Sequence, residues 1–342
     1  WRFIMSEFKV NTITNKDGSY GPQVCGITTF GSSGVTLPSG PTEMRGGRGR
    51  MVTYGGYSPD YLNSMNAIEI TTTGSAVDFG DASRDNGFSS GMASATRGVF
   101  KQGRHPSAGF GDTLEYVTFS SLGGVSDFGT DKGSSQDSSA SSSDGIRGIF
   151  GNGTSYDAKI QFITLASTGD TSNFGELLSG RYMGGGAGGA SPTRGFFFGG
   201  LVSGQPAGSN IIEFVTIQTL GKSVEFGNLT QGRRAIAAVT NATRAVSCTG
   251  ATPATNIMDF ITMASQGNAT DFGDITQNTD GYGAGGSTQI RGVISGCSPA
   301  PAPTPIDFIT FSTTGNSTDF GDTTYNSYLN GVCSDAHGGL AR

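Results

Sequence analysis

The chain has 342 residues, of which 57 are glycine, 14% are charged and 10% are aromatic, so its polarity comes mostly from Ser, Thr, Asn and Gly. That is the composition of turn-rich β structure. With 27 acidic and 21 basic residues the net charge is -6, which works against general attraction to nucleic acid or an anionic membrane, and no run of 18 apolar residues or signal-peptide pattern calls for membrane insertion.

Residues 1–45 form an arm unlike the rest of the chain. Short alternating segments, "KVNTI" (9–13) and "GITTF" (26–30), are separated by Gly, Pro, Asn and Asp, and read as two strands without helical period. "MSEF" reads as an ordinary amino terminus, so Met5 is the expected start, with Trp1 to Ile4 an extension. "TNKDGS" meets the calcium-loop pattern only at Asn15, Asp17 and Gly18, and a plain turn is expected there.

From residue 46 onward one phrase is repeated. Asp78-Phe79-Gly80, Asp127-Phe128-Gly129, Asp271-Phe272-Gly273 and Asp319-Phe320-Gly321 share the letters of the magnesium-binding tripeptide of protein kinases, with variants at Asn173-Phe174-Gly175 and Glu225-Phe226-Gly227. Six copies indicate architecture rather than a catalytic loop. A glycine stands five residues before each phenylalanine, at Gly74, Gly123, Gly169, Gly221, Gly267 and Gly315. Eight residues before each of these lies a polar position, Asn66, Glu115, Gln161, Glu213, Asp259 or Asp307, opening an apolar strand such as "DFITMAS". Upstream again, Arg50, Arg97, Arg147, Arg194, Arg244 and Arg291 each precede an apolar stretch ending near glycine, and recur about every 48 residues. Four short strands in such a repeat fit a β-propeller blade. The fourth, just before the arginine, is made of very small residues, as in "GGGAGG" (184–189) and "GYGAGGS". That suits the crowded propeller axis and argues against a phosphate loop.

The ends complete each other. The last copy stops where its arginine strand should begin, while the first begins at that strand and lacks an inner one. Residues 329–335 are therefore expected to supply the inner strand of the first blade and close the ring. Each repeated phenylalanine is expected to be buried between blades. The arginines, in step with the acidic residue before each phenylalanine, are expected to form a structural ion pair or a carbonyl clamp.

A strand ending in Gly-Gly at Gly55-Gly56 and Gly199-Gly200, a variable loop, an acidic strand opening and a Thr-Gly-type turn resemble the kelch repeat over about residues 46 to 342. Phenylalanine replaces the usual tryptophan after the turn. Repeat, ends and resemblance together lead to the expectation of an all-β fold: a six-bladed kelch-like propeller (46–342) closed by its C-terminal strand and preceded by a β-rich docking arm (1–45). The phrases "NTITNKDGSYGP", "ITTFGSSGVTLPSGPTEMRGG" and "TDFGD" further resemble virion structural proteins of tailed bacteriophages, particularly those of marine cyanobacteria. This implies a virion component, made in the host cytoplasm, in a tail, fibre, baseplate or capsid.

Function is then expected in the variable loops, because strands hold the scaffold while loops on one face carry individuality. Tyr57, Tyr61, Arg104, His105, Phe110 and Tyr156 lie in the loops after the arginine strands. Arg84, Arg181, Tyr182, Arg233, Arg234, Tyr282 and Tyr325 lie in those entering the inner strands. All could stack on sugars or make charge-assisted bonds to a host surface glycan or protein. The expected partners are other virion proteins through residues 5–45, that host ligand, and further copies within the particle. A purely architectural decoration or assembly role is the alternative. A glycan-cleaving propeller needs a carboxylate pair unique to one blade, and the acidic residues recur in phase instead. Cys25, Cys248, Cys297 and Cys333 lack C-x-x-C spacing and His105 and His337 are the only histidines, so neither metal nor cofactor is expected.

Overall fold

The computed structural model describes residues 29–31, 34–36, 49–133, 137–151, 153–183, 188–298 and 304–335. The chain divides into two compact units, Trp1–Arg45 and Gly46–Arg342. In the first, Thr29–Gly31 pairs antiparallel with Gly34–Thr36. This pair includes only the last two residues of the expected strand 26–30, and the expected strand 9–13 lies outside the described residues.

The second unit is a six-bladed β-propeller of four-stranded antiparallel sheets, its strands named a to d from the axis outward. Blade I joins Gly331–Ser334, Arg50–Tyr57, Tyr61–Glu69 and Val77–Asn86. Blade II is Ser90–Ala93, Arg97–Lys101, Thr113–Thr118 and Ser126–Thr130, and blade III is Ala140–Ser143, Arg147–Gly151, Lys159–Thr164 and Ser172–Glu176. Gly188–Ala190, Arg194–Phe198, Ile211–Thr216 and Val224–Asn228 make blade IV. Ala237–Thr240, Arg244–Cys248, Thr255–Thr262 and Thr270–Thr279 make blade V, followed in blade VI by Ala284–Ser287, Arg291–Ser295, Pro305–Thr310 and Thr318–Asp322.

The repeated tripeptide builds the junction between blades. Where strands c and d pair, Leu114 faces Gly129 but Glu115 faces Asp127, which leaves Phe128 as the extra residue of a β-bulge. The same bulge falls at the other five phenylalanines. All six side chains are buried, with exposures of 2 to 4%. Phe79 shares its apolar cluster with Val117 and Phe119 of blade II, Phe128 with Ile163 and Leu165 of blade III, and Phe272 with Ile309 and Phe311 of blade VI. Each phenylalanine carbonyl accepts from the turn glycine of the next blade: Phe79 from Gly123 at 2.8 Å, Phe128 from Gly169 at 2.7 Å, and Phe320 from Gly74 across the closure at 3.0 Å. The glycine after each phenylalanine permits this approach. A Cβ on Gly129, where φ is +153°, would lie 2.2 Å from the Gly169 carbonyl oxygen.

The arginines form a carbonyl clamp. Arg50, Arg97, Arg147, Arg194, Arg244 and Arg291 donate through Nη1 to the carbonyls of Phe119, Leu165, Ile217, Met263, Phe311 and Ile70, each in the following blade, at 2.7 to 3.1 Å. Five of the guanidinium groups also cover an aromatic ring of their own strand c, from 4.4 Å for Arg97 over Tyr116 to 4.9 Å for Arg244 over Phe260. In blade I that position is Ala67, and Arg50 is held by Glu69 instead at 2.8 Å. The expected ionic partner was misassigned. Asp78, Asp127, Glu225, Asp271 and Asp319 are exposed, because in a pleated strand the neighbour of an inward phenylalanine points outward.

Strand b enters each blade through a capped turn. Side-chain oxygens of Ser94, Asp144, Ser191, Asn241 and Thr288 accept the two backbone N–H groups at the foot of strand b. Blade I has no such covalent turn. There Asp335 Oδ1 accepts from the N–H groups of Gly49 and Arg50 at 3.0 and 2.8 Å, and the Asp335 N–H donates to the Arg50 carbonyl at 2.9 Å. The closing strand thus reproduces without a peptide link the turn that the other blades make within one chain segment.

Candidate binding face

Antiparallel strands sort the loops by end. The a–b and c–d turns lie at one end of the ring and carry the arginine and glycine contacts just described, alike in all blades. The b–c loops and d–a connections lie at the other end and differ between blades. Along the axis, small residues including Gly91, Ser141, Gly188, Ala238, Gly285 and Ser334 enclose a cavity of about 40 Å³, room for a few waters. That is too small for an organic ligand.

The variable end has a mouth built from backbone. Phe88, Ser138, Ala235, Tyr282 and Leu329, each two residues before an inner strand, have φ of 60, 62, 56, 61 and 66°. Their peptide groups link around the axis: the N–H of Phe88 donates to Leu329, Ser138 to Phe88, Ala235 to Met183, Tyr282 to Ala235 and Leu329 to Tyr282, at 2.8 to 3.2 Å. Left-handed backbone costs a residue with a side chain roughly 1–2 kcal/mol. Glycine would avoid that cost, yet none of these five positions in a chain of 57 glycines is glycine.

The larger side chains form an aromatic floor. Phe88 and Tyr282 meet edge to face at 6.1 Å, although blade I separates the blades they lead into. Tyr57 packs against Tyr61 at 5.2 Å and Tyr328 at 5.6 Å, and Tyr156 lies 6.5 Å from Tyr182. Two arginines rise from this floor. Arg104 covers Phe88 and Phe110 at 5.4 and 5.3 Å, and its Nε pairs with Asp137 Oδ2 at 2.8 Å. Arg234 lies over Tyr182 and Tyr282 at 5.3 and 5.6 Å; its Nη1 donates to the Tyr282 hydroxyl at 2.5 Å and its Nε to Thr252 Oγ1 at 3.1 Å. Burial pushes the hydroxyls of Tyr61, Tyr182 and Tyr328 above the ordinary phenol value, so they remain protonated at neutral pH. Burial also raises the Asp137 carboxyl, against the opposing pull of Arg104.

The structure brings together Tyr57, Tyr61, Arg104, Phe110, Tyr156, Tyr182, Arg234 and Tyr282. It removes four other candidates. Arg181 and Arg233, expected in surface loops, have fully buried side chains paired with Glu213 at 2.6 Å and Asp259 at 3.0 Å. These partners are two of the polar residues that open strand c, and the pairs fix the d–a connections to the sheet. Tyr325 is half-buried and donates to the Ser64 carbonyl at 2.7 Å, and His105 Nδ1 accepts from the N–H groups of Ser107 and Ala108, closing its own hairpin. Arg84 lies within the outer strand of blade I rather than in a loop. Sequence reasoning missed Phe88, Tyr328 and Asp137. Their signal was positional, since all three stand two or three residues before an inner strand, where Tyr282 and Arg234 also stand.

Three cysteines, Cys248, Cys297 and Cys333, are free thiols, and burial raises Cys297 to about 12. No cluster of His, Cys, Asp and Glu suited to a metal occurs among the described residues. No protein-family model matches the chain, and a search of curated proteins finds no match.

Proposed function

We propose that the protein is a non-enzymatic virion component of a tailed phage whose propeller displays its variable end to a host surface glycan. What carries the reading is the aromatic floor of Phe88, Tyr182, Tyr282, Tyr328, Tyr57 and Tyr61 at the axial mouth. Aromatic rings offer flat apolar faces to the C–H faces of sugars, with hydroxyls at their rims for hydrogen bonds. The narrow cavity beneath makes the floor a platform rather than a deep pocket, suited to part of an extended polymer. The strained backbone that presents Phe88 and Tyr282 supports a role for those side chains beyond packing. The virion setting rests on the phrases of the arm and repeats.

The test is binding of the full chain to host cells and to a glycan array. Tyr282→Ala is expected to lose at least tenfold in affinity with little change in melting temperature. A wild-type chain that binds neither cells nor any glycan would refute the reading.

A second reading, attachment through the repeated end, is favoured by one observation. Val77, Leu122, Ile146, Leu220, Val224 and Ile290 are 44 to 66% exposed, and all belong to the a–b and c–d turns or the strand starts beside them. Particle proteins seated there would leave the aromatic mouth facing outward, so the two readings fit one arrangement. Charged substitutions at Leu122 and Leu220 are expected to reduce incorporation into particles without changing glycan binding.

A further inference from the structure

The two arginines of the mouth differ in one respect. Arg104 has a carboxylate partner, Asp137, whose side chain is fully buried. Arg234 has none among the described residues: its hydrogen bonds go to Thr252 Oγ1, Tyr282 Oη and, through its backbone, Ala251. A guanidinium has five N–H donors, and Nη2 of Arg234 makes no hydrogen bond to a described residue. The neighbouring phenol adds to this. The Tyr282 oxygen accepts from Arg234, which leaves its own O–H, used by no described residue, to donate elsewhere.

Arg234 is also particular to its blade. The backbone ring aligns Ala235 with Phe88, Ser138, Met183, Tyr282 and Leu329, so Arg234 corresponds to Gly87, Asp137, Tyr182, Gly281 and Tyr328. Nothing in the repeat demands a cation there. The adjacent Arg233 already supplies the structural cation, fully buried against Asp259. Two rings fix the Arg234 side chain in a half-buried position, where a fixed planar fork favours a planar anion.

Resting on the glycan-binding reading above, we propose that the ligand is an acidic saccharide whose carboxylate is held by Arg234 Nη2 and the Tyr282 hydroxyl, while its C–H face lies on the aromatic floor. A net charge of -6 gives the chain no long-range pull on polyanions, so this selectivity comes from contact. The aromatic rings beside Arg234 offer flat faces for the C–H face of a sugar, which favours a saccharide over the carboxylate of a peptide.

Calorimetric titration of the full chain with a glucuronate-containing oligosaccharide and with its carboxyl-reduced counterpart isolates the charge at constant linkage. The acidic form is expected to bind about tenfold or more tighter, as a charge-assisted contact provides. Arg234→Gln should bring the two forms to within about twofold of each other, with the larger loss falling on the acidic form. Arg234→Lys, which keeps the charge without the fork, should fall between and serves as a folding control. Equal affinity of the wild-type chain for both forms would overturn the proposal and leave glycan binding standing. Tighter binding to a sulfated oligosaccharide without carboxylates, or to a peptide through its terminal carboxylate, would overturn the ligand class. Binding to neither saccharide, nor to any other glycan, would remove both the proposal and the reading on which it rests.

Discussion

The six repeated arginines each perform two tasks with one side chain, because a guanidinium is both planar and a fork of donors. Its face lies on the ring of its own strand c while its edge donates to the next blade. Arg244→Met keeps the length of the stem but loses both contacts and leaves the Phe311 carbonyl without its donor. A charged hydrogen bond is worth about 1.5–3 kcal/mol net, so a loss of about 2 kcal/mol in denaturant unfolding is expected; a loss within 0.5 kcal/mol, the range of an ordinary surface substitution, would show the clamp to be idle. At this scale the sequence was partly legible. The recurrence of arginine every blade announced a structural role, and the phenylalanine spacing announced burial. Arg233 and Arg234, by contrast, are adjacent and chemically alike, yet one is sealed against Asp259 and the other stands over Tyr282. Only the turn of the backbone between them separates the two fates, and composition carries no trace of it. The exposed acidic residue that opens five of the six tripeptides was misread for the opposite reason. Its recurrence suggested a partner, whereas strand alternation alone placed it outside.

At the level of elements, the junction between blades combines buried side chains with close backbone contacts, and the two kinds of glycine in it should respond differently to substitution. At Gly123, where φ is +142°, an added Cβ meets nothing within 4 Å, so Gly123→Ala should incur only backbone strain, on the order of 1–3 kcal/mol. At Gly129 the same methyl would also strike the Gly169 carbonyl. The neighbouring blade must then move, adding about 1–3 kcal/mol for the forced fit. Equal destabilisation of the two variants would mean that the blades yield at no cost and that the close approach is incidental. The glycines themselves were plain in the sequence, as was the inner strand of small residues. Their reason was not, because the atom that excludes a side chain at Gly129 belongs to a residue 40 positions away.

For the whole molecule, closure is the decisive element, and the complementary ends of the sequence pointed to it. Gly331–Ser334 pairs with Met51–Tyr54, and Asp335 completes the turn. Deleting residues 329–342 removes this strand, opens blade I, and bares Met51 and Val52, both fully buried in the closed ring. A loss of several kcal/mol is expected, lowering the melting temperature on the order of 10 °C. A truncated chain that melts with the full-length protein would show that the seam contributes little.

The seam has one further consequence, a matter of orientation. The chain enters the ring at Gly49 and leaves it at Asp335, and the two are hydrogen-bonded neighbours at the end opposite the aromatic mouth. A tether fixed to either one, whether a natural partner, an engineered linker or the surface of a sensor chip, pulls on the same rim. A ring held there keeps its aromatic mouth turned away from whatever holds it. Many copies mounted this way would present an array of mouths with one polarity, so that contacts too weak to hold singly could act together on a polymer with repeating units.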